Sequence, residues 1–280
     1  MMNSGKWSKT IDKKEAIECV SSPKCRTTIW NTETPCELKY FTDLSTRRCL
    51  KNQRVYVIGD SRARQIEIAL YSRLTKNLTF FDNKSHELQP LKESLENNQE
   101  IDIVYPWMKK SKGVVYDNLV EEFKTKRAES TWYVLGHVHL HPIRGYKSSE
   151  VYLTGFLEHF RNFTFPLLKN HAVRHKNSKI IWIGEENTFI GIDADKFRRD
   201  AFIVINAEVE KMINGLGLPN FVAMNANTRT MFSGENLLAA EGIHKEVRRK
   251  MSLLSLPSYI DTTYMLNFFC QKNDNKYCCA

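Results

Sequence analysis

The chain has 280 residues, 42% of them hydrophobic, and a formal net charge of +9. That length and apolar content are enough for a sizeable core and exclude a disordered chain outside the termini. The basic residues are spread along the chain without an arginine-rich arm, so nucleic acid is not the expected partner. The positive field suits anionic small substrates instead.

In chain order, residues 1–50 read as an irregular, cysteine-bearing lead-in, and residues 51–280 as one α/β domain. The opening MMNSGKWSKTIDKK has no apolar signal core. A short β-branched and aromatic run predicts a buried strand from Val55 to Ile58. The spacing of Ile66, Ala69, Leu70 and Leu74 then predicts a helix that begins near Ser61. Further strands are expected from Ile101 to Tyr105, Thr131 to Gly136, Lys179 to Gly184 and Asn220 to Met224. Helical periodicity runs from Val151 to Leu168 and from Phe197 to Leu216. Strands alternating with long helices predict a mainly parallel sheet covered on both faces, with one functional edge at the strands' carboxyl ends. No apolar run reaches the roughly 18 residues that a membrane span requires.

The seven cysteines avoid the predicted sheet. Cys19, Cys25, Cys36 and Cys49 precede the first strand, and Cys270, Cys278 and Cys279 lie at the far end. That distribution suits disulfides pinning the flanks to a core; no CxxC pair or tight Cys/His quartet suggests zinc. Three sequons, at Asn77, Asn83 and Asn162, point the same way, towards a lumenal or extracellular domain.

The segment VYVIGDSRARQ carries the chemistry. Gly59 permits a sharp turn, Asp60 can cap it, and Ser61 falls where a helix N-terminus offers unsatisfied N–H groups. Ser61 is either a capping residue or a nucleophile whose own amide faces an oxyanion. A nucleophile needs a base with an orienting acid, and AAEGIHKE supplies Glu241 and His244 beyond the last predicted strand. Gly136 ends a strand, either as a turn glycine or as a second oxyanion donor. Arg62 and Arg64 flank Ser61 although cations oppose the dipole at a helix N-terminus. One suits an anionic substrate and the other a buried acid. Trp107 reads equally as pocket wall or core. The alternating His137, His139 and His141 have no evident fourth metal ligand, so substrate binding or structural hydrogen bonding is expected, with no metal. His171 and His175 read as a solvated helix end beside Arg174 and Lys176.

Taken together, TIWNTETPCELKYF, RRCLKNQRVYVIGDSRARQ, EGIH and the cysteine-bearing tail resemble the lumenal catalytic domain of the sialate O-acetyltransferases, within the SGNH/PC-esterase superfamily. The resemblance implies a three-layer α/β/α fold and a triad of Ser61, His244 and Glu241, with glutamate where that family has aspartate. It implies an oxyanion hole from the amides of Ser61 and Gly136. Arg62, Arg64, His139 and Trp107 are the expected substrate contacts. No tightly bound cofactor is expected. Acetyl-CoA would be the donor and a sialic acid, as its CMP-sugar, the acceptor, in the Golgi lumen or outside the cell. Members of that family in animals continue into a membrane region. An O-acetylesterase using the same triad and an inactive glycan-binding module are the alternatives.

Overall fold

The computed structural model describes residues 5–7, 30–32, 41–59, 61–75, 91–95, 99–104, 114–136, 138, 148–185, 193–224, 247–249, 252–254 and 256–270. Two short antiparallel pairs stand apart from the main sheet. One joins β1 (Gly5–Trp7) to β2 (Trp30–Thr32), the other β9 (Val247–Arg249) to β10 (Ser252–Leu254).

The central sheet contains β3 (Arg54–Ile58), β4 (Leu91–Leu95), β5 (Gln99–Val104), β6 (Trp132–Gly136), β7 (Lys179–Ile183) and β8 (Phe221–Met224). Its spatial order is β4-β5-β3-β6-β7-β8. β5, β3, β6, β7 and β8 run parallel, and β4 pairs antiparallel on β5 at one edge. Strands buried on both faces have no polar side to present, which is why RVYVI, WYVLG and KIIWI read as continuous β-branched and aromatic runs.

Side chains alternate between two helical layers. On one face, Tyr56, Ile58, Tyr133, Leu135, Ile180, Trp182 and Phe221 join a single apolar core. That core receives Leu119 of α3 (Val114–Phe123), Tyr152 and Leu157 of α4 (Ser149–His159), Leu168 of α5 (Phe165–Arg174) and Phe202, Ile205, Val209 and Ile213 of α6 (Asp193–Asn214). On the other face lie α1 (Asp43–Leu50), α2 (Ser61–Thr75) and α7 (Leu256–Cys270), which pack on one another. Trp132, on the opposite side of its strand from Tyr133, stacks on Phe269 of α7 at 5.0 Å. The result is the expected three-layer α/β/α fold.

Within the expected irregular lead-in, Asp43–Leu50 is therefore a helix, opened by Thr42, whose hydroxyl accepts from the Ser45 amide at 3.2 Å. Cys49 at its end forms a disulfide with Cys270 at the end of α7. Lys179 Nζ donates to the carbonyls of Phe268 and Phe269, at 3.2 and 2.8 Å, and neutralises that helix's negative end. Arg73 of α2 reaches across to Thr262 of α7 at 2.9 Å, and Arg47 of α1 donates to the Leu74 carbonyl at 2.7 Å. These bonds fix the helix that carries Ser61 to its two neighbours.

Between α4 and α5, Phe160–Thr164 widens into a π-turn in which the Phe165 amide donates to the Phe160 carbonyl. Pro166, near the start of α5, lacks the N–H that a regular helix would use on the carbonyl of Asn162. The widened turn follows from that missing donor.

Candidate functional site

Taken in sequence order, the parallel strands run β3, β5, β6, β7, β8, yet in space β5 and β6 lie on opposite sides of β3. The chain leaves β3 to one side and returns to the other. Such an order opens a crevice beyond the carboxyl ends of the two strands at the reversal, here β3 and β6. β3 ends at Ile58, followed by Gly59, and Ser61 is the first residue of α2. β6 ends at Gly136. The two segments picked out from sequence alone therefore meet at the topological switch point.

Their contact is backbone on backbone. Ile58 pairs with Leu135, which brings Gly59 level with Gly136. A Cβ on Gly59 would lie 2.1 Å from the Gly136 carbonyl oxygen and 2.4 Å from the Ala63 Cβ. Gly136 has φ +148°, a conformation that L side chains rarely adopt, and a Cβ there would lie 1.9 Å from the Ile183 carbonyl oxygen. The next strand end is also braced. Asn206 of α6 accepts from the Glu185 amide and donates to the Glu185 carbonyl, both at 2.8 Å. Glu185, fully buried just past β7, is a carboxylate on this functional edge that the sequence reading did not single out. Its position at a strand's carboxyl end was the available sign.

Behind Ser61, α2 is polar where a core helix would be apolar. Arg64, Gln65 and Glu67 are 3%, 2% and 1% exposed. Burial pushes the Glu67 carboxyl up to about 8, and the nearby Arg64 guanidinium opposes that rise. Of the two arginine roles expected, Arg64 has the surroundings of the one held by a buried acid. Gln65 and Glu67 make no side-chain hydrogen bond among the described residues.

For Ser61 and Arg62 the structure describes the helix backbone. Glu241, His244, Trp107, His137, His139 and His141 lie outside the described residues, as does Asp60. Among the described residues no group of three or more His, Cys, Asp or Glu gathers to hold a metal ion.

One histidine departs from expectation. His171 is buried rather than solvated. Its ring stacks on Phe123 at 3.9 Å, and Nε2 lies 3.1 Å from the Ala128 carbonyl and 3.0 Å from the Ser178 hydroxyl. Burial first, then the neighbouring His175, lower it to about 4, so it is neutral in the core at ordinary pH. Arg174 and Lys176 are exposed on the far side of the same turn. The local charge that suggested solvent belongs to a different helix face.

No curated protein sequence matches the chain. A family model described as "NXPE family member 4-like, C-terminal domain" matches residues 30–181, from β2 into β7, and includes both Ser61 and Gly136. The NXPE domain is related to the sialate O-acetyltransferases that the GDSRARQ segment resembles, and the match is to it rather than to those enzymes. With more than half its length matched, the chain belongs to the family of NXPE family member 4-like C-terminal domains, a family of the SGNH/PC-esterase type.

Proposed function

We propose that this domain is an O-acetyltransferase that moves an acetyl group from acetyl-CoA, through acetyl-Ser61, to a hydroxyl of a sialic acid or related sugar. The observation that carries the reading is the contact of Gly59, two residues before Ser61 at the start of α2, with Gly136 at the switch point between β3 and β6. A serine there is held by a buried scaffold beside backbone amides, as acyl transfer requires.

In the proposed cycle His244, oriented by Glu241, removes the Ser61 proton as Oγ attacks the thioester carbonyl. The amides of Ser61 and Gly136 stabilise the tetrahedral oxyanion. Its collapse breaks the C–S bond, and the imidazolium protonates the departing thiolate. His244 then deprotonates the sugar hydroxyl as it attacks the acetyl-serine, and the imidazolium returns the proton to Ser61 Oγ as the Oγ–acetyl bond breaks. Glu241, one methylene longer than the aspartate of the resembled family, would orient His244 in that role. Arg62, His139 and Trp107 contact the substrates, and the net charge of +9 draws in the phosphates of CoA and the sugar carboxylate. The Cys49–Cys270 disulfide supports an oxidising site of action, the Golgi lumen or the cell exterior.

The test is to incubate the protein with radiolabelled acetyl-CoA, quench, and map the label. Label on Ser61 that passes to an added sugar supports transfer. Label on Ser61 released only as acetate, whatever acceptor is offered, replaces it with an esterase. No label on the wild type, with glycan still bound, replaces it with an inactive binding module. Ser61→Ala should abolish labelling while leaving the melting temperature unchanged.

A further inference from the structure

We infer that Asn162 is an N-glycosylation site whose first sugar rests on an aromatic platform formed by Phe163, His159 and Tyr116. This stands apart from the acyl-transfer reading and requires only passage through the secretory route. The Cys49–Cys270 disulfide is the structural mark of such a passage, because cytosolic thiols are kept reduced.

Asn162-Phe163-Thr164 is a complete acceptor tripeptide. Of its residues, Asn162 is exposed on the outer surface of the π-turn, and its amide is committed to no hydrogen bond among the described residues. Phe163 is 50% exposed, an unusual solvent position for a large aromatic side chain. It does not stand alone. His159 lies 5.1 Å from the Phe163 ring, and Tyr116 of α3 lies 6.0 Å from Phe163 and 5.8 Å from His159. His159, three residues before Asn162, is its neighbour on the helix surface, and the Phe163 and Tyr116 rings continue the patch from His159, so a sugar on Asn162 meets the patch from its His159 side. The C–H face of a pyranose stacks on aromatic rings, and covering them removes apolar surface from water.

Thr164, whose hydroxyl completes the acceptor, is 4% exposed. The transferase must therefore read the tripeptide before the helix closes, during entry of the chain into the lumen. The Asn162 amide nitrogen attacks C1 of the sugar on a lipid-diphosphate-linked oligosaccharide. The new N–C bond replaces the C–O bond to phosphate, and the lipid diphosphate leaves as the amide loses a proton.

To test this, the chain is expressed through the secretory route of cultured animal cells that retain high-mannose glycans. Peptide N-glycosidase F digestion in heavy-oxygen water, read by mass spectrometry, should convert Asn162 to labelled aspartate. An unlabelled Asn162 overturns the assignment, whether or not Asn77 and Asn83 are labelled. Protein trimmed to a single N-acetylglucosamine should melt about 1–3 °C above Asn162→Gln. In a Phe163→Ser background that difference should vanish. A difference that persists without Phe163 overturns the platform.

Discussion

Gly59 and Gly136 touch backbone to backbone across β3 and β6, with room for a Cβ on neither. The contact closes the floor of the switch-point crevice and fixes where α2 begins. Gly136→Ala meets both an unfavourable φ and the Ile183 carbonyl, and should cost about 2–5 kcal/mol. Gly59→Ala meets the Gly136 carbonyl and Ala63 without the unfavourable φ of Gly136, so about 1–3 kcal/mol is expected. Urea denaturation would measure both. A Gly136→Ala protein as stable as wild type would show that the strand end can shift, and that its position is not what holds α2.

The Glu67 carboxyl lies in the same helix, with its proton affinity raised to about 8 against an ordinary 4.5. The folded state therefore holds a proton that the unfolded chain releases above 4.5. Stability from this group is fully present below pH 4.5, falls as pH rises, and levels off above about 8. Glu67→Gln keeps the shape and removes the ionisation. Its stability relative to wild type should climb between pH 5 and 8, and a constant difference across that window would refute a raised Glu67.

Most of the sheet was legible because a parallel strand buried on both sides must be an uninterrupted apolar run, as in VYVI and KIIWI. The helices α2, α4 and α6 were legible from their spacing, while the run from Val151 to Leu168 reached only the first turn of α5. By contrast, β4, LKESL, is an edge strand with polar residues and no apolar alternation to betray it. The helix α7 is buried on every side, with Asp261, Thr262 and Asn267 buried alongside Tyr264, Met265, Leu266, Phe268 and Phe269, so no apolar period marks one inward face. Ser61 and Gly136 could each be picked out locally. That their segments lie side by side, Gly59 against Gly136, could not, since it depends on the chain crossing from one side of β3 to the other. Arg64 shows the same limit: its buried acid, Glu67, is one turn away, but burial is a property of α7 and α1 packing over α2.

His171 makes a second pH-dependent contribution of opposite sign. Its affinity is lowered to about 4 from 6.5, so the unfolded chain binds the extra proton first. Stability from this group is intact above pH 6.5 and is lost as pH falls to about 4. The cause is burial against Phe123 and Tyr133, with the neighbouring His175 adding to it and the bond to the Ala128 carbonyl opposing it. His171→Gln should flatten the acid limb of the stability profile, while lowering stability at pH 7 by about 1–3 kcal/mol through the lost packing and hydrogen bonding. An unchanged acid limb would place the titration elsewhere.

The Cys49–Cys270 disulfide joins residues 221 apart, so it restrains nearly the whole folding unit when unfolded. A loop of that size corresponds to about 5 kcal/mol in the chain-entropy model, with about 2–5 kcal/mol typical on removal of a native bridge. Its position matters as much as its length. The bridge ties α1 to the end of α7, and both lie against α2. Cys49→Ser with Cys270→Ser should therefore lower stability by about 2–5 kcal/mol in urea. It should also raise amide exchange first in α7 and in the second half of α2, where Arg73 meets Thr262. The strands β6 and β7 should stay protected until global unfolding, because their own core with α4, α5 and α6 does not pass through the bridge. Uniform loss of protection across all elements would mean that the two layers unfold as one unit, and that α2 owes its position to the sheet rather than to the bridged helices.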